Sequence, residues 1–426
     1  MSRLMIALFV SAGLAVAGSA AAQVPSAPMS KDSYTAAKND ADAQYKADKA
    51  ACASLSGNAK DICVAQAKGK DSAAKADAAA AYENTPKARE KARVAPAGTG
   101  PFVARELSFG SSARFDRFDG YWGRAQVALE GLDLDLTEDS ESGVFERFLD
   151  GQLDVVWDVP YPEAARLEAD PEWRSYIDSS VQLHTSFLAL RCNRAPLSDV
   201  RVRRALNLAV DRNRINDRFF SGLTVLASSI LPPHLLGHDP GLRPYRCEPE
   251  KARALLAEAG HAGGVRLSAW QTPKEARGGR NLLLAIATDL GAAGIDLAVE
   301  VVTGEEMLAR RKKGEHPDVT LTQWFADFAD PDTFFNSLFY SRTDDVTELG
   351  WKNSELDRLV EKGARATDAH EREAIYRRLN RLVHQEAPVV FLFHSRGFVL
   401  HRPSVRGVRA FLLPPPVRWA ELSFEG

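Results

Sequence analysis

The sequence predicts an α/β protein preceded by an α-helical hairpin, and three observations carry that expectation. From the hundredth residue onward, stretches with the two-residue alternation of strands take turns with stretches of helical period. One strand–helix–strand series has a crossover long enough to imply parallel pairing. Ahead of both, residues 23–97 are rich in Ala, Lys and Asp and poor in large apolar side chains.

The first 22 residues read as a secretory leader. Met1 to Arg3 supplies a positive charge, 4–16 is an apolar core, and Ala20-Ala21-Ala22 places small residues before Gln23. That core is too short to anchor in a bilayer, and no later segment is long and apolar enough to cross one. No cysteine follows the small residues, which argues against a lipid-modified N-terminus. The mature chain is therefore expected to be exported to the periplasm, without membrane insertion.

Residues 23–97 follow as a helical hairpin and linker. Ala and Lys are strong helix formers, and Ser56-Gly57-Asn58 interrupts the pattern as a turn does. Cys52 and Cys63 lie symmetrically about that turn, where an antiparallel helix pair would let a disulfide pin its closed end. Export permits such a bond. So little apolar surface leaves disorder as the other reading of this segment. Pro86 and Pro96-Ala97-Gly98 mark the linker.

The α/β part begins with an alternating strand at 132–136. A helix through Val144, Phe145, Phe148 and Leu149 and a buried strand at 153–157 come next. Val202, Ala205, Leu206, Ala209 and Val210 form one helical stripe. Pro249 starts a helix with Ala252, Leu255, Leu256 and Ala259 on its apolar face and Gly260 as its stop. Strand 265–270, helix 281–293 ended by Gly294, and the alternating Ile295, Leu297, Val299 and Val301 form the crossover unit. A short helix at 305–313 and a strand at 318–323 follow. Ser354 with Asp357 suggests a capping box for a helix to residue 366. A helix at 371–385, broken by Pro388, leads into a buried strand at 389–393.

Composition excludes several functions. A net charge of −3 with no long basic run gives no electrostatic footprint for nucleic acid. No phosphate-binding glycine loop, nucleophile elbow or H-E-x-x-H occurs, the nine histidines are scattered, and no cysteines have C-x-x-C spacing. No metal site and no cofactor are expected. The stretch 324–335, WFADFADPDTFF, sets Asp327, Asp330 and Asp332 among five aromatic rings. Two such acids act as general acid and base when their environments split their pKa values, but no nucleophile or metal motif accompanies them. Calcium coordination needs closer oxygen alternation and a glycine turn. Asp332 suits a helix start, where an acid meets the positive end of the dipole. The expectation is that the protein is not an enzyme.

A collinear set of motifs points further. These are GTGPF (98–102), FDGYWG (118–123), FERFLDGQLDVVW (145–157), LSDVRVRRALNLAVDRNRI (197–215), EPEKARALLAEAG (248–260), NSELDRLVEKGARATDAHEREAIYRRL (353–379) and APVVFLFH (387–394). Together they resemble the extracytoplasmic solute-binding proteins of ABC transporters, family 5, which binds oligopeptides, dipeptides and nickel. The resemblance covers the chain from residue 98 to about residue 410, and 197–215 is its most diagnostic piece. It implies periplasmic-binding-protein-like lobes of class II, cluster C type, that capture peptides or a similar small solute for permease subunits. It implies that Asp327 holds the ligand's α-ammonium, with Trp324 and Phe325 beside it as cleft wall. An ammonium in a dry site needs an ionised partner, and charge-assisted hydrogen bonds are the strong kind.

Two departures qualify the implication. Leu321 stands where oligopeptide-binding members can carry an arginine for the ligand carboxylate. The opening region of the family is missing, and the unrelated helical segment takes its place, so the lobes are expected to be truncated, with a separate chain as one source of the missing part. The expected domains are partial lobe I at 98–190, a second α/β lobe at 191–395 and a return to lobe I at 396–426. Within that frame Cys192 and Cys247 both precede elements at one edge of the second lobe, which suggests a disulfide between them. The alternative function is an envelope interaction or structural protein acting through its helical segment.

Overall fold

A computed structural model describes residues 3–8, 29–54, 57–83, 100–108, 111–136, 141–276, 281–343, 347–413 and 417–425. The linker prolines Pro86 and Pro96, the leader's Ala20–Ala22, Ser56 of the expected turn, and Gly98 lie outside them. The chain divides into two compact units, Met1–Val159 with Val399–Arg409 and Val417–Gly426, and Pro160–Phe398 with Ala410–Pro416.

The first unit opens on β1 (Arg3–Leu8), inside the segment expected to be a leader. Helices α1 (Lys31–Ala51) and α2 (Gly57–Glu83) then form the hairpin. Ser30 caps α1 by accepting a hydrogen bond from the Ser33 N–H. Small side chains rather than large ones sit between the helices, with Ala41, Ala67 and Ala78 buried. The hairpin is held at one end by the Cys52–Cys63 disulfide and at the other by Tyr34 stacked on Tyr82, their centroids 4.7 Å apart. Lys75 pairs with Asp42 and Asp71 between them.

Strands β2 (Phe102–Ser108), β3 (Ser112–Arg117) and β4 (Gly131–Asp135), helix α3 (Glu141–Leu149) and strand β5 (Val155–Trp157) complete the N-terminal part of this unit. Its sheet runs β2–β3–β4–β1–β5, and the last residues of β11 (Val389–His401) pair antiparallel with β5 from Val399↔Trp157 to His401↔Val155. Strand β1 lies parallel to both neighbours.

The second unit is α4 (Tyr161–Ala169), β6 (Ile177–Leu190), α5 (Val200–Ala209), α6 (Arg212–Phe220), β7 (Val225–Leu226), α7 (Pro249–Glu258), β8 (Val265–Gln271), α8 (Pro273–Ala276), α9 (Leu282–Ala292), β9 (Ile295–Val301), α10 (Gly304–Lys312), β10 (Val319–Phe325), α11 (Asp332–Leu338), α12 (Ser354–Arg365), α13 (Ala369–Glu386) and the first part of β11. Strands β12 (Val405–Arg406) and β13 (Ser423–Phe424) return to the first unit. The strands of the second unit run in the order β11–β6–β10–β8–β9. Strands β8 and β9 pair in parallel through α9, as the crossover predicted. A Cβ at Gly264, where the chain enters β8 with φ +90°, would lie 2.4 Å from the Gly294 carbonyl oxygen, so only glycine fits.

Alternation along β6 and β11 feeds two cores. Leu188, Leu190, Val390 and Leu392 pack with Val202 and Leu206 of α5, Leu256 of α7 and Ile286 of α9. Phe187, Ala189, Val389 and Phe391 pack with Phe335 of α11, Leu356 of α12, and Tyr376 and Leu379 of α13. Helices on both sheet faces are the layering the α/β pattern requires.

The stretch 197–215 is a buried polar clamp. Asp199 and Asp211 cap α5 and α6 by accepting from the Arg201 and Arg214 N–H groups. Arg203 donates to the carbonyls of Leu197, Ser198 and Glu386. Asn207 donates to the Arg203 and Val389 carbonyls and accepts from the Phe391 N–H. Arg212 donates to the carbonyls of Phe391, Asn207, Val210 and Tyr245 and to Asn207 Oδ1. Burial pushes the Arg212 guanidinium down to about 10, and carbonyl dipoles take the place of a counter-ion.

The first unit's N-terminal segment ends at Val159, and β6 pairs with β10 in the second unit from Val319↔Leu190 to Phe325↔His184. Two expectations change. Helix α12 is capped by Asn353, which accepts from the Glu355 and Leu356 N–H groups. Asp357 instead holds the Ser341 N–H and hydroxyl, so Ser354 and Asp357 form no capping box. The Cys192–Cys247 disulfide is not formed, and both residues are thiols. Cys192 donates to the Leu190 and Pro388 carbonyls, while Cys247 is directed at the Ala209 carbonyl.

Candidate functional site

The segment WFADFADPDTFF straddles the end of a strand and the start of a helix. Trp324 and Phe325 are the last residues of β10, opposite Thr185 and His184 of β6. The Ala326 N–H still donates to the Leu183 carbonyl, so the chain leaves the sheet only at Asp327. Phe325 and Phe328 are 43% and 55% exposed, large apolar rings in water on either side of Asp327. The inner face of Phe325 stacks on the His184 ring at 4.0 Å between centroids.

The three acids have different surroundings. Asp330 pairs with Arg372 of α13 at 2.8 Å and accepts from the Asp332 N–H. Asp332, in the first turn of α11, accepts from the Tyr376 hydroxyl at 2.9 Å. Asp327 is exposed and has no ion pair or hydrogen bond among the described residues. The indole N–H of Trp324 is buried and has no acceptor there either.

Behind the rings lies a polar row that sequence reading missed. His184 contacts Ser395 Oγ through Nδ1 and Gln323 Oε1 through Nε2. Next to it, Thr185 Oγ1 lies 2.9 Å from His394 Nδ1 and donates to the Ile230 carbonyl. Burial pushes the His184 imidazole down to about 4 and the His394 imidazole to about 3, so both are neutral. The only signal for this row would have been β6 itself. The polar residues of its first half, such as Asp178, Ser179, Ser180 and Gln182, obscure a strand.

Chemically the segment offers one carboxylate unengaged among the described residues, framed by exposed rings, over a neutral histidine layer. No group of three or more His, Cys, Asp or Glu side chains that could hold a metal occurs among the described residues, and no helix among them is long and apolar enough to cross a membrane. Such an arrangement suits recognition of a cation through Asp327.

The fold is of the class II periplasmic-binding-protein type. The description "Bacterial extracellular solute-binding proteins, family 5 Middle" matches residues 24–345, and the chain belongs to that family. The matched span takes in the helical hairpin, which sequence reading had set apart from the family. The chain is 31% identical to the dipeptide-binding protein of Escherichia coli over 328 residues, covering 75% of this chain and 59% of that protein. It is 27% identical to heme-binding protein A of Haemophilus influenzae, covering 73% and 57%. The periplasmic binding protein DppA of Helicobacter pylori, solved in complex with peptide STSA, superposes with a TM-score of 0.67 at 26% identity, covering 81% of this chain and 66% of that one. The chain thus spans under two thirds of the length of these relatives.

Proposed function

We propose that this chain is the solute-binding component of a peptide-type ABC transporter. It captures a peptide or similar small cationic solute in the periplasm, after export through its N-terminal leader, and delivers it to permease subunits. It binds and releases without covalent chemistry. Asp327 receives the ligand's ammonium group, and Trp324 and Phe325 line the site. The chain's lobes follow the two compact units, a partial lobe I to Val159, a second α/β lobe over Pro160–Phe398 and a return to lobe I from Val399.

The observation that carries the reading is the inequality of the three acids. Asp330 and Asp332 hold α11 and α13 together, whereas Asp327 is left unengaged between two exposed rings. A carboxylate with no partner among the described residues at the end of a strand is placed to meet a cation. Family membership and the dipeptide-binding relatives support the same solute class.

Calorimetric titration with a panel of di- to tetrapeptides tests this. Binding by the wild type that falls at least a hundredfold in Asp327→Ala, and that requires a free peptide N-terminus, is the expected result. Binding unchanged in Asp327→Ala removes the anchor. No binding of any peptide or other small cation by the wild type favours the envelope-interaction alternative.

A further inference from the structure

Helices α1 and α2 hold each other and little else. All 21 residues of α1 are described, and Ala41 is the one side chain it buries. Facing it, Ala67 and Ala78 are buried on α2, and Cys52, just beyond the end of α1, is fully buried. Among the described residues no strand or other helix of the unit packs broadly on either of them. The stability of most protein helices comes from packing an apolar face. Burial of alanine methyl groups does not offset the conformational entropy of ordering helices of 21 and 27 residues.

Polar contacts between the two add little. Lys75 reaches Asp42 at 2.6 Å and Lys70 reaches Asp48 at 3.3 Å, but each pair has a side chain more than half exposed. Exposed ion pairs contribute weakly and are screened by salt. At the open end Tyr34 stacks on Tyr82, and the Met29 N–H donates to the Ala81 carbonyl. The cross-link between the helices is the Cys52–Cys63 disulfide at the closed end, with Cα atoms 5.7 Å apart. Tying together residues 11 apart in sequence makes opening of the hairpin ~100-fold less favourable by restricting the open chain.

We propose that the hairpin is a redox-gated element. Oxidised, its helices pair; reduced, they separate and α1 loses its ordered backbone. The helical and disordered readings of the Ala/Lys-rich segment are then two states of one segment, chosen by Cys52 and Cys63. Closure is thiol–disulfide exchange. The thiolate of one cysteine attacks a donor disulfide, and the thiolate of the other displaces the donor from the mixed disulfide. Two electrons and two protons pass to the donor, which leaves as a dithiol. Opening reverses these steps, with a dithiol as reductant. By linkage, helix pairing favours the oxidised cysteines by the same factor with which oxidation favours pairing. Cys192 and Cys247 remain thiols in the second unit.

Hydrogen exchange followed by mass spectrometry on the full chain tests this, read on peptides covering Lys31–Ala51 with those of β6 as internal reference. Alkylation first counts the thiols. Two are expected in protein prepared with a disulfide donor and four after dithiothreitol, and four in both overturn the proposal. Reduction should speed exchange across α1 by about tenfold or more, while β6 is unchanged. The double variant Cys52→Ser, Cys63→Ser should exchange like the reduced protein without any reductant, which covers a disulfide that dithiothreitol does not reach. Equal exchange of α1 in oxidised wild type and in the double variant overturns the gate, because the helices then pair without the cross-link. Exchange that rises equally in β6 also overturns it, since the disulfide then holds the whole chain and not the hairpin.

Discussion

Asn207→Leu tests whether the buried clamp holds α5 to β11. Asn207 is fully buried in α5, and leucine keeps its branching and number of side-chain heavy atoms while removing its polar atoms, so the change acts chiefly on hydrogen bonding. Four groups lose a partner: the Phe391 N–H, the Val389 and Arg203 carbonyls and Arg212 Nη2. Leaving a buried polar group unsatisfied costs about 1–3 kcal/mol, and the Arg212 group carries charge, so the sum is about 5 kcal/mol. Arg212 keeps its bonds to the Phe391, Val210 and Tyr245 carbonyls, which holds the loss below that of removing the arginine. Urea unfolding followed by far-ultraviolet circular dichroism measures it, with the midpoint expected to fall and the slope to stay constant. A loss under about 1 kcal/mol would refute the view that these bonds, rather than the apolar stripe of α5, join helix to strand.

Other substitutions sort neighbouring residues by task. Asp327→Ala should leave the melting temperature unchanged, whereas Asp330→Ala should lower it by breaking the pair with Arg372, both read by thermal shift. Asn353→Ala should cost about 1 kcal/mol of stability and Ser354→Ala much less, because Asn353 holds the first-turn N–H groups of α12. Stability should fall with acid as well. His184 and His394 have folded values near 4 and 3, below the ordinary imidazole, so the unfolded chain binds protons the folded one refuses. The loss begins as pH drops through about 6.5 and grows by about 1.4 kcal/mol per pH unit for each histidine, ending near the folded values. Urea midpoints at pH 7 and pH 5 measure it, and equal midpoints would contradict the burial of both rings.

Legibility in the sequence followed periodicity. Helices α5, α7, α9, α12 and α13 and strands β8, β9 and β10 lay within a few residues of their expected spans, because one buried face imposes a regular spacing. Strand β6 was missed, although it lies between β11 and β10, since its first half is polar and alternates weakly. The buried arginines of the clamp were invisible for a similar reason: a charge beside an apolar stripe reads as solvated unless the carbonyls that receive it are known. Cysteine pairing separated by distance. Cys52 and Cys63 are linked by a local turn and could be paired from spacing, but Cys192 and Cys247 depended on tertiary placement. At the site, the position of Asp327 at a strand end was readable, while its lack of partners needed the structure.

The clamp has a consequence for how this chain can change. The stretch that most strongly marks the family, 197–215, directs its charged and amide groups at main-chain carbonyls of β11 and the neighbouring loops. Any substitution there is tested against folding first. Asp327, Phe325 and Phe328 carry little such burden, since two rings face water and the acid has no hydrogen bond or ion pair among the described residues. On the reading proposed for Asp327, architecture and ligand preference are written in separate residues, and the end of β10 can change without renegotiating the scaffold beneath.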